Sequence, residues 1–192
     1  VSMREYPLFK EMTPRLFLVA LISSLAAMNS GYEGGYFSTV IVNQNFLADY
    51  GHAVQGTLDS KYQSSGSGLG MAGIMLGAIL LGGPISEHFG RKWGLVSSSV
   101  ISIVGAIIQS ASVGKIWGFI IGRMINNMGA GIANAIVPIY LAECSPSSIR
   151  GGLTSFYQIM YTFGQFWAYL ICFLTKGKNS KWSYLLVVVL QV

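Results

Sequence analysis

Gly122 to Gly152 reads GRMINNMGAGIANAIVPIYLAECSPSSIRGG, and the housing of its arginine decides what kind of protein this is. The stretch sets Arg123 inside apolar sequence, passes through small residues, and leaves that sequence at Glu143, Pro146 and Arg150. A guanidinium cannot shed its proton. In hydrocarbon it needs a carboxylate partner, a wet cavity or the water interface. The matching oddity is Glu33, in the middle of the first apolar segment. Two ionisable groups of opposite sign in separate apolar spans set the question for the rest of the chain.

Composition argues for a membrane. Hydrophobic residues make up 52% of the 192 and charged residues 10%, against about 25% charged in soluble domains. Mean hydropathy is +0.54. The 24 glycines are an excess that lets membrane helices approach closely. The net charge of +5 raises the question of nucleic acid, but Lys and Arg stand singly between apolar runs and form no patch. Nucleic-acid binding is excluded. Cys144 and Cys172 offer neither metal spacing nor a disulfide framework.

Along the chain, residues 1–13 form a short polar leader, and the transmembrane bundle occupies 14–192. Its spans are expected at about 14–42, 62–85, 95–111, 116–142 and 149–175, with an incomplete sixth at 182–192. The first exceeds the roughly 20 residues that cross hydrocarbon, so it is expected to tilt or break, with Gly31, Gly34 and Gly35 as the place. Residues 43–61, including Asp49, His52 and Asp59, read as a polar loop. In the second span Gly66/Gly70 and Gly73/Gly77 have the spacing that puts small residues on one helix face. About eleven residues of the sixth run are too few to span, so the intact protein is expected to continue. Lys and Arg bias does not orient the bundle: Arg4, Lys10, Arg15, Arg91, Lys92 and Arg150 balance Lys61, Lys115, Lys176, Lys178 and Lys181.

Four motifs then carry a resemblance, in order and in register. GPISEHFGRK at 83–92 resembles the loop signature of the major facilitator superfamily. Gly122–Arg123 followed by PIYLAECSPSSIRG at 138–151 is similar to the pattern of its sugar porter branch. SGYEGG at 30–35 sits where sugar porters carry Phe-Gly-Tyr-Asp or Phe-Gly-Tyr-Asn, and YQIMYTFGQ at 157–165 resembles their fifth-helix sugar-binding segment. The resemblance implies an all-α membrane protein: the N-terminal six-helix half of a major facilitator fold, its sixth helix truncated, lacking a C-terminal half. It implies substrate bound between two halves near the bilayer midplane, alternating access by rocking, and the leader at 1–13 with the loops 86–92 and 143–150 facing the cytoplasm. Proton symport of a sugar across the plasma membrane, with no cofactor, is the implied activity.

Under that resemblance Glu33 and Arg123 are the proton-coupling pair, and a static ion pair fixing helix packing is the plainer alternative. Gln158 and Gln165, seven apart on one helix face, offer amides to sugar hydroxyls; the plainer role is interhelical hydrogen bonding. Tyr161, Trp167 and Tyr169 stay unassigned. Ser30 departs from the usual Phe, which favours a bulkier or different polyol. Gly83, Glu87, Gly90 and Arg91 belong to the loop signature, and Arg91 with Glu143 and Arg150 is expected to form a cytoplasmic ion cluster that locks one state. Glu87 is expected to face a helix N-terminus. His88 replaces the motif's first Arg, weakening one contact or making it pH-dependent. No catalytic or metal-ligating constellation is present, so a carrier is expected and an enzyme is not. A facilitative carrier, a transport-inactive sensor and a fragment needing its other half remain the alternatives.

Overall fold

The computed structural model describes residues 13–50, 53–54, 57–112 and 114–175. The leader as far as residue 12, His52, the basic turn at Lys176, Lys178 and Lys181, and the run at 182–192 lie outside them.

Helix α1 runs Pro14–Val40, started by Thr13, whose hydroxyl accepts from the Leu16 amide at 3.3 Å, with Pro14 at the first helical position. It is one unbroken helix of 27 residues, about 40 Å long. The expected break at Gly31, Gly34 and Gly35 is absent because these glycines serve close packing. A Cβ at Gly31 would overlap the carbonyl oxygen of Tyr161, and one at Gly35 would crowd the backbone of Gln165.

The connection that follows is less of a loop than its polarity suggested. It holds α2 (Gln44–Tyr50) and a two-residue antiparallel hairpin, β1 (Ala53–Val54) with β2 (Thr57–Leu58). Phe46, Leu47 and Tyr50 turn inward and cover the end of the bundle, where Phe46 meets Phe119 edge-on at 5.3 Å. The polar residues between them hid this short apolar face.

The second span is built in three pieces: α3 (Ser60–Leu76), a π-helical turn (Gly77–Gly82) and α4 (Gly83–His88). Pro84 supplies the reason, because it has no N–H to return to the carbonyl four residues back, and the ladder widens there. Gly90, at φ +85°, turns the chain into α5 (Arg91–Ala111). Helix α6 (Ile116–Cys144) and α7 (Arg150–Thr175) complete the described bundle.

Helix α6 is the hub, in contact with α1, α3, α5 and α7. Small residues let it be so. A Cβ at Gly73, Gly77 or Gly131 would strike backbone across the α3–α6 seam, and one at Gly105 would strike the backbone of Asn126 from α5. The expected seam of Gly73 and Gly77 therefore packs on α6. Large apolar side chains such as Phe17, Ile22, Met71, Ile79, Ile107 and Phe173 face outward. Leu16–Val40, Ser60–His88 and Arg91–Ala111 are each long and apolar enough to cross a membrane. An outward apolar coat around buried polar groups suits lipid as the solvent, and the chain is an integral, multi-pass membrane protein.

Candidate functional site

Glu33 lies seven residues before the end of α1, and Arg123 seven residues after the start of α6. The two helices run in opposite directions, so both residues sit about 10 Å in from the same end of the bundle. Glu33 is 2% exposed and Arg123 is 7%. They share this interior without forming an ion pair. The Glu33 Oε1 atom accepts from Asn126 Nδ2 at 2.5 Å, while its Oε2 has no hydrogen-bond partner. The Arg123 guanidinium lies over the Phe37 ring at 4.0 Å and the Tyr36 ring at 5.1 Å, with Nε and Nη1 unbonded. Aromatic faces are an apolar way to hold a cation. An unsatisfied acceptor and unsatisfied donors thus sit in one core, which is costly unless a second arrangement joins them.

Around this pair the cluster widens. Tyr36 donates to Gln109 Oε1 at 2.8 Å from full burial, and Gln109 Nε2 has no partner. Asn127 is buried beside Arg123, against the face where Gly70 approaches. Sequence reasoning singled out neither Tyr36, Gln109, Asn126 nor Asn127. The signal was the same as for Glu33, a polar side chain in an apolar run, without the charge that made Glu33 stand out.

The expected sugar contacts differ in exposure. Gln158 is exposed and lines a shallow groove on α7 with Ser155, Ile159, Thr162, Phe163 and Phe166. Gln165 is half-buried against α1, its Nε2 near Gly34 and the Tyr161 hydroxyl near the same glycine. They stand two turns apart on one face of α7, Gln158 open and Gln165 partly covered. A second groove, lined among others by Asn29 and Tyr32 of α1, Ser98 and Ser99 of α5 and Trp167 of α7, opens beside Glu33's own turn. Tyr157 donates to Asn134 Oδ1 at 2.9 Å, tying α7 to α6 just before Pro138. Ser30 is buried in the bundle.

At the opposite end, Arg91 and Glu143 make the expected pair in bidentate form: Nη2 to Oε1 at 2.9 Å and Nε to Oε2 at 3.3 Å. Arg91 Nη1 also donates to the buried Ser86 hydroxyl. The hydrogen bond from Arg91 holds the Glu143 carboxyl below the usual carboxylate range. Arg150 lines a shallow groove with Glu143 and Pro138 but makes no ion pair among the described residues. The expected cluster of three is thus a pair with a bystander. Glu87 and His88 are exposed at the end of α4, and a Cβ at Gly83 would meet nothing within 4 Å.

Residues 19–192 match the family model described as "Sugar (and other) transporter". The chain is 32% identical over 162 residues to myo-inositol transporter 1A of Cryptococcus neoformans, covering 84% of this chain and 27% of that protein. It is 31% identical over 162 residues to a probable quinate permease of Aspergillus flavus, covering 83% of this chain and 30% of the permease. The chain therefore spans less than a third of the length of these curated relatives. Its fold is similar to the inward open conformation of the xylose transporter XylE from E. coli, with TM-score 0.73 and 22% identity, over 92% of this chain and 45% of XylE. Together with the helical bundle and its buried charges, these matches establish that the chain belongs to the sugar transporter family of the major facilitator superfamily.

Proposed function

We propose that the intact protein moves a ring-shaped polyol, a sugar or a cyclitol, across the plasma membrane together with a proton, by alternating access between this bundle and a C-terminal half. One observation carries the coupling: a carboxyl 2% exposed in hydrocarbon, with a fixed cation in the same core and no ion pair joining them. A carboxyl that takes a proton when free of the cation, and releases it on meeting the cation, moves one proton per cycle. The relatives' substrates, myo-inositol and quinate, support a hydroxylated ring, as does the xylose of XylE. Gln158 and Gln165 are the proposed hydroxyl contacts from this half. Ser30, small where related carriers place an aromatic ring, favours a cyclitol over a plain hexose. In this reading the Arg91–Glu143 end faces the cytoplasm and the α2 cap faces outward. The protein is a carrier and catalyses no bond change.

The test is uptake of labelled myo-inositol, quinate, glucose and xylose by transporter-deficient cells expressing the intact protein, with and without a protonophore, beside Glu33→Gln. The expected result is uptake of a ring polyol that the protonophore depresses, and a Glu33→Gln carrier that still exchanges substrate but no longer accumulates it. Uptake indifferent to both changes would leave a facilitator. No uptake of any of the four, with the carrier in the membrane, would sink the polyol reading.

A further inference from the structure

Asn126 stands one helical turn from Arg123, at the i, i+3 spacing that puts both on one face of α6. It is fully buried, and α5 fixes it from behind. Ser102 Oγ lies 3.5 Å from its carbonyl oxygen, and Gly105 packs so closely that a Cβ there would strike the Asn126 backbone. From that rigid position its amide donates to Glu33 Oε1 at 2.5 Å. Arg123 meanwhile rests on Phe37 and Tyr36, two residues of the helix that carries Glu33.

The same carboxyl thus has two donors on one face of α6, about 5 Å apart along the axis, and uses the neutral one. We propose that Asn126 is a positioning residue that holds the Glu33 carboxyl short of Arg123, so that the carboxyl–guanidinium contact forms only in another step of the cycle. This rests on the proton-coupling reading of Glu33 and adds what sets it. An amide N–H serves a neutral or an ionised carboxyl, whereas a guanidinium serves chiefly the ionised one. Asn126 therefore lets the carboxyl keep a proton while it waits, and still offers the ionised form one bond.

Among the described residues, Arg123 is the charged group set against Glu33. The titratable groups around Glu33 are the Tyr32 and Tyr36 phenols on its own helix, Arg123 on α6, and Tyr161 and Cys172 on α7. Helix α5 contributes neutral Gln109 and Ser102, and α3 contributes glycines at 66 and 70. Arg123 supplies the guanidinium among them, and the others are phenols and a thiol.

The experiment uses the intact carrier with Asn126→Val and Asn126→Thr, two side chains of equal shape that differ by one hydroxyl donor. Two readouts are taken: the pH profile of uptake, and the titration of the protonated-carboxyl infrared band that Glu33→Gln removes. Without the Asn126 amide the carboxyl is free to reach Arg123, which favours its ionised form. Asn126→Val is expected to move both midpoints toward acid pH by about one unit, a tenfold change. Asn126→Thr is expected to restore most of that shift, with the KM for substrate exchange unchanged in both variants. Identical infrared titrations in the wild type, Val and Thr carriers would overturn the positioning role. If wild-type uptake ignores pH while the infrared midpoint still moves with Val, symport fails and the positioning of Glu33 by Asn126 stands. A shift in exchange KM equal for Val and Thr, with no pH shift, would mark Asn126 as packing alone and overturn the proposal.

Discussion

Tyr36 does two things with one side chain, and they can be separated. Its ring lies under Arg123 and its hydroxyl holds Gln109. Tyr36→Phe keeps the ring and strands Gln109 Oε1 beside an Nε2 that already lacks a partner. The cost is expected to be about 1 kcal/mol, since interhelical hydrogen bonds in membranes are individually modest but an orphaned buried amide is not free. Tyr36→Leu also removes the ring face and should cost about 1 kcal/mol more. Thermal unfolding of the detergent-solubilised carrier measures both, and equal losses for Phe and Leu would mean that the ring contributes nothing to holding Arg123. At this scale the sequence was legible where charge broke an apolar run. Glu33 and Arg123 announced themselves; Asn126 and Gln109 did not, because a neutral amide in a helix has many packing uses. That Glu33 bonds Asn126 and not Arg123 was beyond sequence reasoning, since it depends on how α1 and α6 are phased about their axes.

Elements in this bundle are set by close approach. At the α3–α6 seam Gly131 meets the carbonyl oxygen of Ile74, a backbone atom that no rotamer change can move. Gly131→Val is expected to prevent folding or to cost more than about 3 kcal/mol, because two helices must separate to admit it. Gly68, on the same helix as Gly73, has nothing within 4 Å of an added Cβ. Gly68→Ala should be neutral or stabilising by up to about 1 kcal/mol through helix propensity. Fluorescence-detected size exclusion of tagged carriers, heated in steps, separates the two outcomes; an intact, stable Gly131→Val carrier would mean that the seam is looser than drawn. The helices were readable from sequence because apolar length and glycine spacing are local signals. The apolar runs at 95–111, 116–142 and 149–175 overlap the helices Arg91–Ala111, Ile116–Cys144 and Arg150–Thr175. What failed was non-local. The α1 glycines looked like a hinge until α7 packed on them, and α2 looked like loop until its three inward side chains met Phe119.

Two polar clusters of the described residues stand toward opposite ends of one helix. Arg123 and Glu143 are twenty residues apart on α6, so the buried cluster and the Arg91–Glu143 pair stand about 30 Å apart, close to the thickness of the hydrocarbon. The two carboxyls answer pH differently. The Glu143 carboxyl is held low by its hydrogen bond from Arg91, so the pair is intact above the ordinary carboxylate range and is lost only as pH falls through the lowered value. Proton dependence between mildly acid and neutral pH therefore does not come from this pair. What the pair does is pin the turn between α4 and α5 to the last turn of α6, with Phe89 of that turn exposed. Chymotryptic cleavage after Phe89 in the solubilised carrier reads local opening of that turn. Because the pair is exposed, Arg91→Gln is expected to raise the cleavage rate by no more than about fivefold. High salt should raise the wild-type rate in the same direction. The exchanged pair Arg91→Glu with Glu143→Arg should return it toward wild type, although a reversed guanidinium no longer reaches Ser86. Cleavage unchanged by Arg91→Gln and by salt would mean that backbone packing alone holds the turn, and would leave the pair no part in closing this end during transport.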